Sequence, residues 1–355
     1  MTGTGPLGRR YMLDLADQGG AVRARVRQSG DAGLARVGLG RPAVEAPRLA
    51  GLLFSLCPRA QTTAALRAVE QAAGVALAPG QAAAREAVLL GEGVAASVWR
   101  MAVTWPTLTG GTMDAAPVRA AREAADALLA DLFDGPWAEP GGCLLKSVTA
   151  APRSAVDALF EALRRSEAGI GPLLDQANAI RLHRGDTCCL LQDGIFAEDL
   201  CPDCSGHEET PRALLAPGEM TDSLGPWFDA QLSHGFTLLA RLRRTLDRVA
   251  PDAPTPFPDG ATGRGMGVAM TARGRLRHGL VLEDGLIRGW TTAAPTDWNF
   301  APNGPVAATA RRLAPGPGLR ARAQWLVAAF DPCAPCDVAL QAALTPRSGE
   351  EAVHA

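Results

Sequence analysis

The chain has 355 residues, 35 Lys and Arg against 37 Asp and Glu, a formal net charge of -2 and 47% hydrophobic residues. A nearly neutral chain has no basic field to hold nucleic acid or an anionic membrane surface, so neither is expected as a partner. The composition is that of a globular protein, and a chain of this length buries a sizeable core.

The amino terminus MTGTGPLGRRYMLDL has two arginines but no apolar segment or small-residue cleavage site behind them, so it does not resemble a secretory signal. The longest apolar stretch, from Leu49 to Leu56, is far shorter than the roughly 20 residues of a membrane-spanning helix. We therefore expect a cytoplasmic protein without a transmembrane helix. In a reducing compartment, the eight cysteines are more typical of metal or redox sites than of disulfides.

Residues 1–40 predict a small β-hairpin, since alternating apolar and charged residues such as AVRARV are bounded by Gly-Gly and Ser-Gly-Asp. From Pro42 onward, apolar residues recur at steps of three and four, which is the pattern of amphipathic helices. This pattern predicts a helical bundle over residues 41–250. Its helices are expected over residues 44–56, 62–74, 81–103, 115–133 and 151–166, with a long helix that includes residues 232–249.

A loop-like segment interrupts the bundle at residues 183–220, where Gly, Pro and Asp accompany several cysteines. Cys201, Cys204 and His207 have the spacing C-x-x-C-x-x-H. With Cys188 or Cys189 they would complete a tetrahedral zinc site. The alternative is a loop with incidental thiols.

The carboxyl-terminal part predicts β-structure again. After the proline-rich stretch 251–258, the sequence RHGLVLEDGLIRGW predicts two strands joined by a type I′ turn at Asp284 and Gly285. His278, in the first strand, is expected to pack or hydrogen-bond within this hairpin. A hairpin and a cysteine motif thus occupy residues 259–340. We expect one α+β domain over residues 1–355, with a central helical bundle and small β elements near both ends, which can meet.

Cysteines also lie near both ends of the chain. The segment LCPRAQTTAA contains Cys57, and AAFDPCAPC contains Cys333 and Cys336 at C-x-x-C spacing. Taken alone, a cysteine before a helix is most often a small buried hydrophobe. An isolated C-x-x-C in a cytosolic chain indicates metal or redox chemistry only about half of the time. The residues around these cysteines make the two segments informative together.

Three stretches near the carboxyl end, in this order, carry a family resemblance: TARGRLRHG, APTDWNFAPNGP and AAFDPCAPC. They resemble A-P-R-G-x-L-x-H, P-T/S-T-W-N-x-x-P and D-P-C-x-x-C-x-x-H of the large subunit of nickel-iron hydrogenases. The segment GRPAVEAPRLAGLLFSLCPRAQTTAALRAVEQAAGV is similar to the amino-terminal R-x-C-G-x-C-P-x-x-H region of that family. The resemblance covers roughly residues 19–105 and 264–340, and it implies a large-subunit-like fold.

The resemblance also shows which metal ligands have changed. In the family, two C-x-x-C pairs hold nickel, and the second cysteine of each pair bridges to iron; these bridging positions fall on Cys57 and Cys336. The first cysteine of the amino-terminal pair falls on Phe54, so nickel would keep at most Cys333 as a terminal thiolate. We therefore expect Phe54 to fill the space of the lost ligand and nickel to bind weakly or not at all.

Three further departures from the family pattern agree with this. The histidines that follow the two cysteine pairs are replaced by Gln61 and Ala339, which implies that a nickel-sensing peptidase does not process the chain. The family's proton-accepting glutamate falls on Gly19. The proton relay for splitting hydrogen is therefore expected to be broken.

The iron end of the family site is retained. Arg273 and Thr296 match positions that hydrogen-bond iron-bound cyanides, and Asp331 matches an acidic residue that would orient Arg273. Soft thiolates suit low-spin iron that carries cyanide and carbon monoxide, and cyanide nitrogens favour strong donors. The alternative is that Arg273 and Asp331 form only a structural ion pair.

A large-subunit-like chain with a partial cysteine set resembles the hydrogenase maturation factors of the HupK/HoxV type. This resemblance implies a non-enzymatic scaffold that holds iron with cyanide and carbon monoxide on Cys57, Cys333 and Cys336 before delivery to the large-subunit precursor. The implied partners are the small iron-carrying chaperone and other maturation proteins. Two alternatives stay open: a divergent large subunit or hydrogen sensor with enzymatic activity, and a docking protein that binds no metal.

Overall fold

The computed structural model describes residues 9–30, 33–146, 151–183, 222–302 and 304–344. The cysteines and histidine of the predicted zinc loop lie outside these ranges. The strands are β1 (Arg10–Gln18), β2 (Ala21–Ser29), β3 (Gly263–Thr271), β4 (Gly274–Glu283), β5 (Leu286–Ala293) and β6 (Cys336–Leu340). The helices are α1 (Leu34–Gly38), α2 (Ala46–Leu53), α3 (Pro58–Ala72), α4 (Pro79–Trp99), α5 (Trp105–Leu108), α6 (Ala115–Leu132), α7 (Ala151–Glu167), α8 (Gly171–Ala179), α9 (Gly225–Leu246), α10 (Pro295–Asn299), α11 (Pro305–Ala310) and α12 (Leu319–Phe330).

The middle of the chain is a helical bundle in which α4, α6, α7 and α9 pack around one large hydrophobic core. α6 begins after Asp114, whose carboxylate caps the helix by accepting the Ala116 N–H at 2.9 Å. Its predicted apolar face is buried, including Val118 and Leu128. α9 begins at Gly225, before the predicted range, because the following proline is suited to the first helical turn.

The helical stretch Pro79–Leu108 is the one part of the described chain that is long and apolar enough to cross a membrane. Its apolar window is 67% buried inside the protein. α4, which supplies most of this stretch, contributes to the hydrophobic core. Its apolar character is therefore explained by its place in the bundle.

The two ends of the chain meet in one small sheet. β1 pairs antiparallel with β2 and parallel with β6, with Tyr11 opposite Cys336. Leu13 and Leu15, on alternate positions of β1, are fully buried, as the period of a half-exposed strand requires. This pairing confirms the expected α+β arrangement in which the ends come together.

A second sheet, formed by antiparallel β3, β4 and β5, contains the predicted hairpin. Asp284 and Gly285 have φ values of 50° and 74°, and a type I′ turn requires positive φ at both central residues. β3 is hidden from pattern analysis because its sequence GRGMGVAMT has glycine, a poor strand former, at alternate positions.

The glycines of β3 let helix α3 lie directly on the sheet. A Cβ at Gly267 would come within 1.8 Å of the Ala64 carbonyl oxygen, and a Cβ at Gly265 within 2.0 Å of the Ala68 carbonyl oxygen. Alternate residues of a strand lie on one face of the sheet, and every fourth residue of a helix lies on one face of the helix. The glycines of β3 therefore lie opposite the alanines of α3. This close packing fixes the amino-terminal end of α3, where Cys57 is the N-cap residue.

Candidate metal centre

Cys57 and Cys333 line the same small cavity, which we call the closed cavity. Its volume of about 30 Å³ has room for about two water molecules. Phe54 lines the cavity together with the two cysteines, and Tyr11 and Asp297 lie on its wall as well. The structure therefore brings together two of the three predicted thiol ligands and the aromatic residue that replaces a family cysteine.

Cys57 is positioned by the start of α3, where Pro58 occupies the first turn. Its sulfur accepts a long hydrogen bond of 3.8 Å from the Gln61 side-chain amide. Burial, with a further contribution from the nearby Glu92 carboxylate, raises the pKa of the Cys57 thiol to about 12. Such a thiol loses its proton only when a cation binds its sulfur.

Cys333 lies in the loop between α12 and β6, and Thr296 in α10 holds this loop in place. The Cys333 backbone N–H donates to the Thr296 hydroxyl oxygen at 3.0 Å. Burial raises the pKa of the Cys333 thiol, while its hydrogen bond with Thr296 and the Arg273 guanidinium act in the opposite direction. Thr296 and Arg273 therefore both stabilise the thiolate of Cys333.

A buried cluster of Arg100, Arg273 and Asp331 lies beside these thiols. Arg273 Nε donates to the Asp331 carbonyl oxygen at 2.9 Å and lies 3.1 Å from its carboxylate. Arg100 Nε donates to the same carboxylate at 3.0 Å. Two guanidinium groups share one carboxylate, so the cluster carries a surplus positive charge.

The surplus charge acts on the closed cavity through Arg273. Burial alone would lower the pKa of Arg273, but Asp331, Cys333 and Cys57 together raise it above its ordinary value. Burial likewise acts to raise the pKa of Asp331, and the two guanidinium groups outweigh it and hold that pKa low. The cluster therefore stays ionised and favours an anion next to the two thiols.

The backbone has unusual geometry at two residues of this cluster, Asp331 and Arg100. Asp331, which ends α12, has φ 45°, in the left-handed region that costs energy for a residue with a Cβ. Arg100 begins a π-helical turn, Arg100–Thr104, directly after α4. Such turns are rare and are frequent at functional sites. Arg100 and Asp331 thus both lie where the backbone departs from regular α-helical geometry.

Cys336 lies on a second cavity, which we call the open cavity, of about 460 Å³. Arg273 and Asp331 also line it, and Leu56 lines both cavities. Burial, with a contribution from Asp337, raises the pKa of the Cys336 thiol to about 12. Among the described residues, no three His, Cys, Asp or Glu side chains are gathered closely enough to hold a metal ion. The ligand set of Cys57, Cys333 and Cys336 therefore stays a prediction, with its third thiol on the adjoining cavity.

Comparison with known proteins gives the family of the chain. The hydrogenase expression/formation protein HupK of Azotobacter vinelandii is 30% identical over 86% of this chain and 90% of its own length. HupV of Azotobacter chroococcum is 30% identical over 93% of this chain and 98% of its own length. The chain belongs to the family of hydrogenase expression/formation proteins. HoxV of Cupriavidus necator is 28% identical over 84% of the chain, and no protein-family model matches the sequence.

The fold of this hydrogenase expression/formation protein is that of hydrogenase large subunits. A reduced, active Ni-Fe-Se hydrogenase from Desulfomicrobium baculatum matches with a TM-score of 0.62 at 15% identity, covering 89% of this chain and 94% of that chain. An NAD+-reducing NiFe-hydrogenase matches with a TM-score of 0.56 at 20% identity, covering 88% and 93%. Identities this low show a common fold and carry no information on activity.

Sequence reasoning missed several polar residues at the site of this family member. Asp297 accepts a hydrogen bond of 2.8 Å from the Tyr11 hydroxyl and forms an ion pair with Arg9 on the wall of the closed cavity. A signal was present, since Asp297 stands where the family motif P-T/S-T-W-N has threonine. For Arg100, the signal was a single cation in the apolar run VAASVWRMAV.

Glu92 is a further unpredicted residue, and it fixes the start of the helix that follows Cys57. From α4, its two carboxylate oxygens accept the backbone N–H groups of Arg59 at 2.9 Å and Ala60 at 3.0 Å. These are unpaired donors of the first turn of α3, so Glu92 acts as a cap from a neighbouring helix. Burial raises the pKa of Glu92 to about 7, although the two hydrogen bonds oppose the rise.

Proposed function

We propose that this chain is a non-enzymatic scaffold of hydrogenase maturation that holds iron with cyanide and carbon monoxide before the iron is transferred to the large-subunit precursor. One observation carries the proposal: two thiols, those of Cys57 and Cys333, share a closed cavity beside a buried cluster with surplus positive charge. The names of the relatives, hydrogenase expression/formation proteins, support a role in maturation.

The charge of the cargo suits this cavity. Ferrous iron bound by two thiolates and by cyanide carries a net negative charge, and the surplus cation of Arg100 and Arg273 would balance it. Arg273 would donate to a cyanide nitrogen, since guanidinium groups form strong hydrogen bonds to anions. The Thr296 hydroxyl oxygen accepts the Cys333 N–H, so its one hydrogen would be shared between the Cys333 thiolate and a cyanide nitrogen. Cys57 and Cys333 supply the soft ligands that such iron prefers.

The closed cavity, with room for about two water molecules, would have to widen into the adjoining open cavity to hold iron with its diatomic ligands, and the open cavity would be the route for cargo entry. It is larger than the closed cavity, and Cys336, Arg273 and Asp331 lie on its wall. The small iron-carrying chaperone would deliver its cargo at this opening, and the large-subunit precursor would receive the cargo there. Cys336, the first residue of β6, would then join Cys57 and Cys333 as the third thiol when the loop before β6 closes on the iron.

The same residues argue against hydrogen splitting. Phe54 stands where an enzyme would have a nickel ligand, and it lines the closed cavity. Gly19, at the position matched to a proton-accepting glutamate, lies in the β1–β2 turn with φ 63° and carries no carboxylate. We therefore do not propose catalysis.

The test is an infrared spectrum, with iron and nickel analysis, of protein purified without air from a host that expresses the maturation proteins. We expect cyanide and carbonyl stretching bands, with iron present and without stoichiometric nickel. Cys57→Ala and Cys333→Ala should each lose the bands because half of the closed-cavity ligands are gone, whereas Cys336→Ala should retain them more weakly. Cys143→Ala is the matched control, since Cys143 lies away from both cavities, and it should match the unchanged protein.

Two results would contradict the scaffold. Bands that persist in both Cys57→Ala and Cys333→Ala would mean that the closed cavity does not hold the iron. Stoichiometric nickel together with hydrogen uptake would instead favour the enzyme.

A docking protein that binds no metal is the second candidate, and one observation favours it. Several large hydrophobic side chains are exposed in the segment that leads to Cys57: Val37, Leu39, Val44, Leu52 and Leu56. An exposed apolar patch typically marks a binding surface, and these residues share one stretch of the chain. A strain with the double substitution Cys57→Ala and Cys333→Ala separates the candidates, because normal hydrogenase maturation in that strain would require docking without iron.

A further inference from the structure

A buried series of hydrogen bonds runs from β5 through β4 to the Cys57 sulfur, and we call it the amide relay. Trp290 Nε1 donates to His278 Nδ1 at 3.1 Å. His278 Nε2 and Gln61 Oε1 are 2.6 Å apart, and Gln61 Nε2 donates to Cys57 Sγ at 3.8 Å. The three side chains before the sulfur are buried, with exposures of 4%, 0% and 3%.

The chemistry of the first donor fixes the direction of the whole series. An indole N–H can only donate, so His278 Nδ1 must accept and the proton of the neutral ring must lie on Nε2. That N–H donates to the carbonyl oxygen of Gln61. The amide NH2 group is then the end that faces Cys57. A doubly protonated His278 would set two N–H groups against each other at Trp290, and burial indeed lowers the pKa of His278 to about 3.

The packing leaves these side chains little freedom to turn. A Cβ at Gly38 would lie 2.4 Å from the Trp290 ring, which shows how closely the backbone of α1 covers the indole. Gln61 belongs to α3, whose alanine row lies directly on the glycine row of β3. Unlike the histidine of the enzyme family, the Gln61 amide has no acidic proton, so it donates to the sulfur without releasing a proton.

We infer that Trp290, His278 and Gln61 are positioning residues that hold an amide N–H on the Cys57 sulfur and thereby lower the charge that this sulfur donates to a bound metal. The inference rests on the proposed function, because it concerns Cys57 as a metal ligand. Hydrogen bonds to ligating sulfur tune metal sites in this way, and they help to set the potentials of iron–sulfur clusters.

The first experiment tests the relay and needs no iron. Proton–nitrogen correlation spectra of the histidine side chains should show His278 neutral, with its proton on Nε2 only, between pH 5 and pH 8. In Trp290→Phe the donor is gone, so a second population with the proton on Nδ1 should appear. A proton on Nδ1 in the unchanged protein would overturn the inference, because Gln61 would then turn its oxygen toward Cys57.

The second experiment tests the effect on the metal. Gln61→Met keeps the length of the side chain but removes the donor. Gln71→Met makes the same change at an exposed position of α3, where the side chain accepts the Met266 N–H and does not donate to the Cys57 sulfur. In iron-loaded protein, the carbonyl stretch should move to lower wavenumber in Gln61→Met and stay in place in Gln71→Met. The iron should also dissociate about 10-fold faster from Gln61→Met, because a Cys57 thiolate without the amide donor is protonated more readily and then leaves the metal.

The possible results distinguish the role of the amide relay from the proposed scaffold function. An unmoved carbonyl stretch and an unchanged dissociation rate in Gln61→Met would overturn the role of the relay and leave the scaffold standing. Absent cyanide and carbonyl bands in the unchanged protein would overturn the scaffold, and with it the effect on the metal. The His278 signals of Gln61→Met show whether β4 and α3 remain folded against each other.

Discussion

Arg100 and Arg273 share the carboxylate of Asp331, and their three side chains are almost fully buried. Motif comparison finds Arg273 and Asp331, because both stand in stretches similar to the hydrogenase family. It does not find Arg100, since the contact between Arg100 and Asp331 joins residues 231 positions apart. A local sequence pattern cannot predict such a distant pairing. The surplus positive charge that results from it can be recognised only from the folded structure.

The shared carboxylate makes a prediction about stability. Asp331→Asn leaves two buried guanidinium groups without a counter-charge, so the free energy of unfolding should fall by roughly 3–5 kcal/mol. Urea unfolding followed by circular dichroism measures this change. Asp337→Asn is the control on an exposed position of β6, and it should alter the free energy by less than about 0.5 kcal/mol. Equal effects of the two substitutions would show that the cluster is not buried as described.

At the scale of single elements, periodicity predicts what has a regular pattern. α6 and the β4–β5 hairpin have the expected apolar spacing and turn residues, and both form where predicted. β3 and α12 do not have such a regular pattern. Alternate glycines weaken the strand signal of β3, and the sequence PGPG precedes α12. α3 begins at Pro58, four residues before its predicted start, since threonine and glutamine positions of its first turns are buried without being apolar.

The contact between α4 and α3 gives a pH prediction through Glu92. Its pKa in the folded protein, about 7, lies above the ordinary value of 4.5. The folded state therefore holds a proton that the unfolded state has lost, and stability falls as pH rises from about 4.5 to about 7. In Glu92→Gln this fall should be absent. The difference in the free energy of unfolding between the unchanged protein and Glu92→Gln should change by up to about 3 kcal/mol between pH 4.5 and pH 8.

Urea titrations of both proteins across this pH range provide the measurement. Parallel curves of stability against pH would mean that Glu92 titrates normally and is not held in a buried cap. Glu86→Gln, a change on the same helix in a residue that pairs with Arg67 and Arg241, is the matched control and should keep the pH dependence of the unchanged protein.

At the scale of the whole molecule, the large-subunit-like fold and the identity of the site cysteines follow from motifs in the sequence. The direction in which the Cys336 thiol points does not follow from these motifs. Cys336 is the first residue of β6, and the side of the sheet that its thiol faces depends on the parallel register with β1. Sequence comparison places Cys57 and Cys336 as a pair, whereas the structure places Cys57 with Cys333 and gives Cys336 to the open cavity.

The sheet that joins the two ends should unfold as one unit. Leu13 is fully buried in β1, and Leu13→Ala should lower the free energy of unfolding by about 2–5 kcal/mol. Because Val338 of β6 pairs directly with Leu13, hydrogen exchange should accelerate in residues 10–18 and 336–340 together. Leu340→Ala, at a position 54% exposed, should leave both segments protected. Faster exchange in only one of the segments would show that they open independently.

The hydroxyl of Tyr11 and the carboxylate of Asp297 meet on the wall of the closed cavity although they are 286 residues apart in the chain. Cys333 is translated later still. A ribosome that has produced the amino-terminal strands and Cys57 has therefore made only one side of the cavity, and the other side exists only after residue 333 has been translated. Under the proposed function, a cargo would be loaded only after Cys333 has been made, because a chain interrupted before Cys333 has one thiol of the pair and only part of the cavity wall.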